Sequence, residues 1–235
     1  MKIYHYYHIW ADGKWELPVS EHLAVLNESA LMGNLKEFNI GIVGKEENRI
    51  KVKEYLEKNV LKYSIVAEAN EGFEQETMDK MVDCSSKNGI ILYAHTKGSS
   101  NDTEFEHIWR RSMNYDLIKD WVRCLELLGL YAAVGTHYAI PTDSGMICNN
   151  RNVKTERGFF YGNFFWTHVR YAKALGYPNR SLTSYEIYSR IDAEYWLLGL
   201  KEKVENIFKR KFKVYDKNPY FDEKHFIDHR VEGEV

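Results

Sequence analysis

The segment ILYAHTKGSS, Ile91 to Ser100, is an apolar run that stops at three hydrogen-bonding side chains, His95, Thr96 and Lys97, and then breaks on Gly98 and two serines. Ligands of open α/β sheets gather at the carboxyl ends of the strands. A strand ending in a lysine and a glycine there offers an anion a point charge and backbone N–H groups. The same residues also suit a solvated loop, with Asn101 and Asp102 capping the helix that follows. Arg110 and Arg111, one to two turns into that helix, would add charge at the same mouth, although a helical arginine pair equally suits a solvated face. His5 and His8 flank the end of the first strand, and Gly44 and Lys45 end the second.

A second group lies later in the chain. In YGNFFW, Tyr161 to Trp166, Gly162 permits close backbone approach, Asn163 both donates and accepts, and Trp166 presents a flat face for stacking. An aromatic run of this kind is most often core. About thirty residues on, RIDAEYW places Arg190, Asp192, Glu194 and Trp196 in an amphipathic segment. Glu194 or Asp192 suits a general base aimed into a cleft, while Arg190 and Glu194, at i and i+4, also suit a plain salt bridge.

These residues need a scaffold, and the first two-thirds of the chain alternates strand and helix signals as an α/β sheet with crossover helices does. Strands are expected at Lys2–Ile9, Phe38–Val43, Tyr63–Ala69, Gly89–Ala94 and Tyr131–Val134. Helices are expected at about Pro18–Met32, Glu46–Asn59, Glu74–Ser86, Thr103–Leu128, Thr167–Leu175 and Tyr185–Gly199, with a polar loop from about Pro141 to Glu156. The spacing of Ile108, Trp109, Met113, Leu117, Trp121, Leu125 and Leu128 follows the helical period and predicts one long helix.

Composition narrows the function classes. The 235 residues carry 32 Lys and Arg against 34 Asp and Glu, a net charge of −2, so no global field recruits nucleic acid or an anionic membrane. Cys84, Cys124 and Cys148 are odd in number and widely spaced, which argues against a disulfide framework or structural zinc and fits a reducing, cytoplasmic setting. Neither a signal peptide nor an 18-residue apolar stretch is present, so a soluble protein without a transmembrane segment is expected. P-loop, GxGxxG, HExxH and GxSxG signatures are all absent.

Taken in order, YAHTKG (Tyr93 to Gly98), WRRSM (Trp109 to Met113), AAVG (Ala132 to Gly135), YGNFFW and AEYW (Ala193 to Trp196), after a start reading IYHYYHIW and FNIGIVG, form a recognisable set. Over about Lys2 to Leu200 the chain resembles a group of glycosyltransferases related to the rhamnan-synthesis-type proteins. The resemblance implies a GT-A-like, Rossmann-related α/β fold, with a mostly parallel sheet flanked by helices and a helical C-terminal elaboration. It implies one domain over residues 1–200, with a nucleotide-binding half (1–135), an acceptor half (136–200) and an extension at 201–235.

By that resemblance the partners are a UDP-, GDP- or dTDP-sugar donor and a saccharide or other hydroxyl acceptor. Lys97, with His95 or an arginine, would neutralise the leaving diphosphate, worth roughly 2–4 kcal/mol by comparison with an oxyanion-hole donor. Glu194, or Asp192, would deprotonate the acceptor, and Asn163 and Trp166 would hold the sugar in line. His5, His8, Thr96, Gly98, Arg110, Arg111, Gly162 and Trp196 complete the expected substrate contacts. Enzymes of this fold usually hold Mn²⁺ or Mg²⁺ on an Asp-x-Asp where this chain has His95-Thr96-Lys97. The cofactor is therefore open, with His95, Asp102 and Asp143 as candidate ligands. Two further classes stay in view: a non-catalytic carbohydrate- or nucleotide-binding module, and a DNA-modifying glycosyltransferase using the basic cluster Lys209 to Lys213.

Overall fold

Alternation along the first strand divides the molecule into layers. In β1 (Ile3–Trp10), Tyr4 and Tyr6 pack into one apolar cluster and Ile3, Tyr7 and Ile9 into another, because successive side chains leave a strand on opposite faces. The computed structural model describes residues 1–86, 88–139, 146–148, 151–153, 159–160, 162–178, 193–194, 196–197 and 214–216. After β1 come α1 (Glu16–Glu28), α2 (Leu31–Asn34), β2 (Glu37–Val43), α3 (Glu46–Asn59), β3 (Ser64–Ala69), α4 (Gln75–Val82) and β4 (Ile90–His95). Next are α5 (Glu104–Asn114), a π turn (Tyr115–Lys119), α6 (Trp121–Leu128) and β5 (Ala133–Gly135). The short strands β6 (Tyr138–Ala139), β7 (Met146–Cys148), β8 (Arg151–Val153) and β9 (Phe159–Phe160) lead to β10 (Phe165–His168), α7 (Val169–Leu175) and β11 (Val214–Asp216).

Seven strands form the main sheet in the order β11-β5-β10-β4-β1-β2-β3. All neighbours run parallel except β10, which is antiparallel to both β4 and β5. This is the mostly parallel α/β sheet with flanking helices that the sequence implies. On one face lie the apolar sides of α1, α3, α5, the π turn and α6; on the other, those of α4 and α7 together with Ala193, Trp196 and Leu197. β11 shows that residues 214–216, expected in an extension, pair with β5 as the last strand of the same sheet.

Several elements differ from expectation. The first helix stops at Glu28 because Ala30 adopts a left-handed conformation (φ 59°), and a separate turn, α2, follows. The long helix expected over Thr103–Leu128 is interrupted at Tyr115–Lys119, where the wider π turn lets the Leu117 carbonyl accept from Trp166 Nε1 at 2.7 Å. The polar loop at 141–156 contains a two-stranded hairpin, β7 with β8. Of the helix expected at Tyr185–Gly199, Ala193, Glu194, Trp196 and Leu197 are helical and the rest lies outside the described residues. Among the described residues no helix is long and apolar enough to cross a membrane.

Candidate functional site

The register of the parallel strands builds the site. His8 of β1 lies opposite His95 of β4 on one side and Gly41 of β2 on the other, so His8 and His95 leave the same face at the carboxyl ends of neighbouring strands. Between the ends of β1, β3 and β4 opens a cleft of about 170 Å³ lined by His8, Trp10, Phe73, Glu74, His95 and the 96–100 turn.

Glu74 is the deepest charge in it. The residue is 6% exposed, and its Oε2 accepts from Tyr93 O–H at 2.9 Å and from Asn163 Nδ2 at 2.6 Å. Burial alone would push the carboxyl up. The neighbouring His95 and the hydrogen bonds from Asn163 and Tyr93 outweigh it and hold the group below the usual range, so Glu74 is ionised at neutral pH. His95 Nε2 lies 3.8 Å from Glu74 Oε1 and donates to the Gly162 carbonyl at 2.8 Å. Burial pushes His8 down to about 4, which keeps its imidazole neutral; its Nδ1 lies 2.8 Å from Thr77 Oγ1.

The YGNFFW motif reaches the site through its turn. Gly162 and Asn163 have φ of 86° and 53°, and a Cβ on Gly162 would lie 2.7 Å from Met113 Sδ. That left-handed pair sends the chain back into antiparallel β10 while aiming Gly162 O at His95 and Asn163 at Glu74. Thr96 is likewise structural: its N–H donates to His8 O and its Oγ1 accepts from Trp10 N, which extends the β1–β4 pairing by one residue.

A model of a domain of unknown function, DUF8361, matches residues 6–225. The chain belongs to the DUF8361 family. No curated protein matches it. Among solved structures, the 4-diphosphocytidyl-2C-methyl-D-erythritol synthase of Anaerococcus prevotii DSM 20548 is similar at 11% identity over 99% of each chain, with a TM-score of 0.46. Another 4-diphosphocytidyl-2C-methyl-D-erythritol synthase is similar at 10% identity over 92% of this chain and 89% of that one, TM-score 0.45. The inositol-1-phosphate CTP transferase of T. maritima is similar at 11% identity over 91% and 85%, TM-score 0.38. With TM-scores below 0.5 these likenesses assign no activity to a DUF8361 chain.

Several expected contacts move once the side chains are placed. Lys97 is not an unpaired cation: its Nζ lies 3.4 Å from Glu106 Oε2 and 3.9 Å over the Trp109 ring. Arg110, 1% exposed, spends its fork on Glu21 Oε2 (2.8 and 2.6 Å) and on the Lys97 carbonyl (2.9 Å), so it braces the turn from behind. Arg111 reaches the other oxygen of Glu21. Trp166 is fully buried on Leu117 O, and Trp196 donates to Gly176 O beside Phe165; neither presents a face to a ligand, because each indole is sealed in the core. His5 is buried on the opposite face of β1 from His8, since three residues separate them on a period of two.

Asp102 is held by Lys14 at 2.6 Å and His107 at 2.7 Å. Among the described residues no group of three or more His, Cys, Asp or Glu side chains is placed to hold a metal ion. Asp143 and Asp192 lie outside the described residues, and Glu194 is half-buried next to Ala193, whose carbonyl lies 3.5 Å from Asn163 Nδ2. The sequence reading missed Glu74, Thr77, Tyr93, Trp10 and Phe73. A glutamate opening a helix looks like a solvated first-turn charge, and only the YGN turn, 89 residues away, makes it a site residue.

Proposed function

We propose that this DUF8361 chain is a sugar transferase that takes a nucleotide-activated donor in the cleft at the carboxyl ends of β1 and β4. The observation that supports it most is the polarity of that cleft: a buried carboxylate and two imidazoles at its base, and a glycine turn at its rim. The N–H groups of Gly98 and Ser100 make no hydrogen bond among the described residues, and both residues line the cleft. They suit the diphosphate as a backbone anion site, with Lys97 beside it sharing its charge with Glu106. The strand order, with β10 reversed beside β4, supports the GT-A-like reading.

In the transfer, the acceptor hydroxyl gives its proton to Glu194 and its oxygen bonds to the anomeric carbon. The bond from that carbon to the diphosphate oxygen breaks, and its electron pair leaves on the diphosphate. A thermal-shift screen with UDP-, GDP- and dTDP-sugars, with and without Mn²⁺, tests the reading. Ligand at a hundred times its Kd stabilises by about 2.7 kcal/mol, a shift of roughly 5–10 °C for a chain of this size. Silence toward every nucleotide sugar overturns the proposal, and binding without turnover transfers it to a non-catalytic module.

A further inference from the structure

Two polar atoms face the cleft without a partner among the described residues, and they have opposite character. Glu74 Oε2 is saturated by Tyr93 and Asn163, whereas Oε1 accepts no hydrogen bond among the described residues; its nearest imidazole nitrogen, at 3.8 Å, is already donating to Gly162. Among the described residues the His8 ring is bonded through Nδ1, to Thr77, which leaves Nε2 at the cleft. The tautomer follows from Thr77. Its hydroxyl has no other acceptor among the described residues, so a satisfied hydroxyl donates to Nδ1 and the ring proton sits on Nε2. The reverse arrangement would strand a buried O–H.

Thr77 can approach only because of the strand it crosses. A Cβ on Gly41, the register neighbour of His8, would meet Thr77 Oγ1 at 1.9 Å. The missing side chain on β2 thus lets α4 lower a hydroxyl onto the imidazole. Trp10 and Phe73, both half-buried, flank the cleft with aromatic surface.

We infer that His8 and Glu74 are the hydroxyl readers of a monosaccharide subsite, Nε2–H donating to one ring hydroxyl and Oε1 accepting from another, with Thr77 as the positioning residue for His8. This rests on the transferase reading above and names where the sugar lies. An anionic group is repelled from this floor by the ionised carboxylate, whereas a neutral polyol uses both atoms. The cleft, at about 170 Å³, is smaller than the roughly 300–1,000 Å³ of pockets for drug-sized ligands, and so is sized for one ring against an aromatic wall.

Calorimetric titration of the full chain tests this with UDP-glucose, GDP-mannose and dTDP-rhamnose, each beside its parent UDP, GDP or dTDP, and with free glucose, mannose and rhamnose. In the unaltered chain at least one conjugate binds about tenfold or more tighter than its parent diphosphate. His8→Phe and Glu74→Gln each remove about tenfold of that preference and leave the parent's Kd in place, as loss of one hydrogen bond to a charged or buried partner does. Thr77→Val, nearly isosteric and away from the ligand, lowers the preference by a smaller factor, and it carries the test together with His8→Phe should Glu74→Gln fail to fold. A preference unchanged in the folded variants overturns the assignment, as does failure of every sugar, free or conjugated, to bind. Free sugar binding that depends on His8 and Glu74, with no response to any nucleotide, keeps the subsite and removes the nucleotide donor.

Discussion

Two clusters of buried histidines lie back to back across β1. On one face, His5 Nε2 meets His22 Nε2 at 2.7 Å, His5 Nδ1 donates to Leu92 O, and His22 Nδ1 reaches the Asn114 amide at 3.1 Å. On the other, His8, His95 and Glu74 meet Thr77, Gly162, Tyr93 and Asn163. Both clusters are out of water and both carry depressed histidines, so burial and perturbed titration do not tell a functional cluster from a structural one. The difference is closure. Every ring nitrogen of the first pair has a partner, and Tyr7 stacks on His22 at 4.1 Å, whereas the second leaves one donor and one acceptor open to a cleft.

That contrast is broken or sharpened by four measurements. The largest effect is expected at the proposed base. Glu194→Gln lowers kcat for sugar transfer by about 10²–10⁴-fold, the range for loss of a general base, with an unchanged melting temperature; wild-type turnover removes Glu194 from the role. Acid titrates both sides at once. His5 and His8 are each lowered from 6.5 to about 4 by burial, so between these values the unfolded chain binds more protons than the folded one. Stability therefore rises with pH from about 4 to 6.5 and is flat above, each histidine contributing up to about 3 kcal/mol that is lost as the pH falls. Urea unfolding midpoints constant from pH 7 to pH 4.5 would contradict neutral imidazoles in either cluster.

The closed side alone is tested by His22→Leu, which leaves His5 Nε2 and the Asn114 amide unpaired. A loss of about 1–3 kcal/mol is expected, read in the same unfolding experiment, with KM for any substrate unmoved. A changed KM would mean that the two faces communicate through β1. The smallest effect is at Arg111, 52% exposed in its side chain and bonded to Glu21 from outside. Arg111→Ala costs under about 1 kcal/mol because the pair is solvated, while Arg110, on the same carboxylate but buried, continues to hold the turn.

The layers of the fold are legible in the chain because they rest on periodicity. Charged α3 runs from Glu46 to Asn59 as its pattern predicts, and the first four strands fall within a residue or so of expectation. The site is half legible. His8, His95 and Asn163 stand out as polar residues at strand ends and in a glycine turn, and the fold brings them together. What converts them into a site is long-range: the register that sets His8 beside His95, the bare Gly41 that admits Thr77, and the approach of Asn163 to Glu74. Local reading also overvalues Arg110 and Trp166, because neither a guanidinium's buried acceptor nor an indole's sealed face leaves a mark on neighbouring residues.

The reversal of β10 has a consequence for assembly. Because that strand runs against β4, the residues that precede it arrive at the same end of the sheet where β1 and β4 finish, and they do so late in the chain. The Asn163–Glu74 bond spans 89 residues and the Gly162–His95 bond 67. Contacts of such separation follow the closure of a large loop. On the ribosome, the first four strands and their helices emerge before the segment that anchors the Glu74 carboxylate. The recognition surface is thus finished by the second half of the chain upon a scaffold begun by the first, and a DUF8361 chain interrupted before β10 loses the latch on its deepest charge.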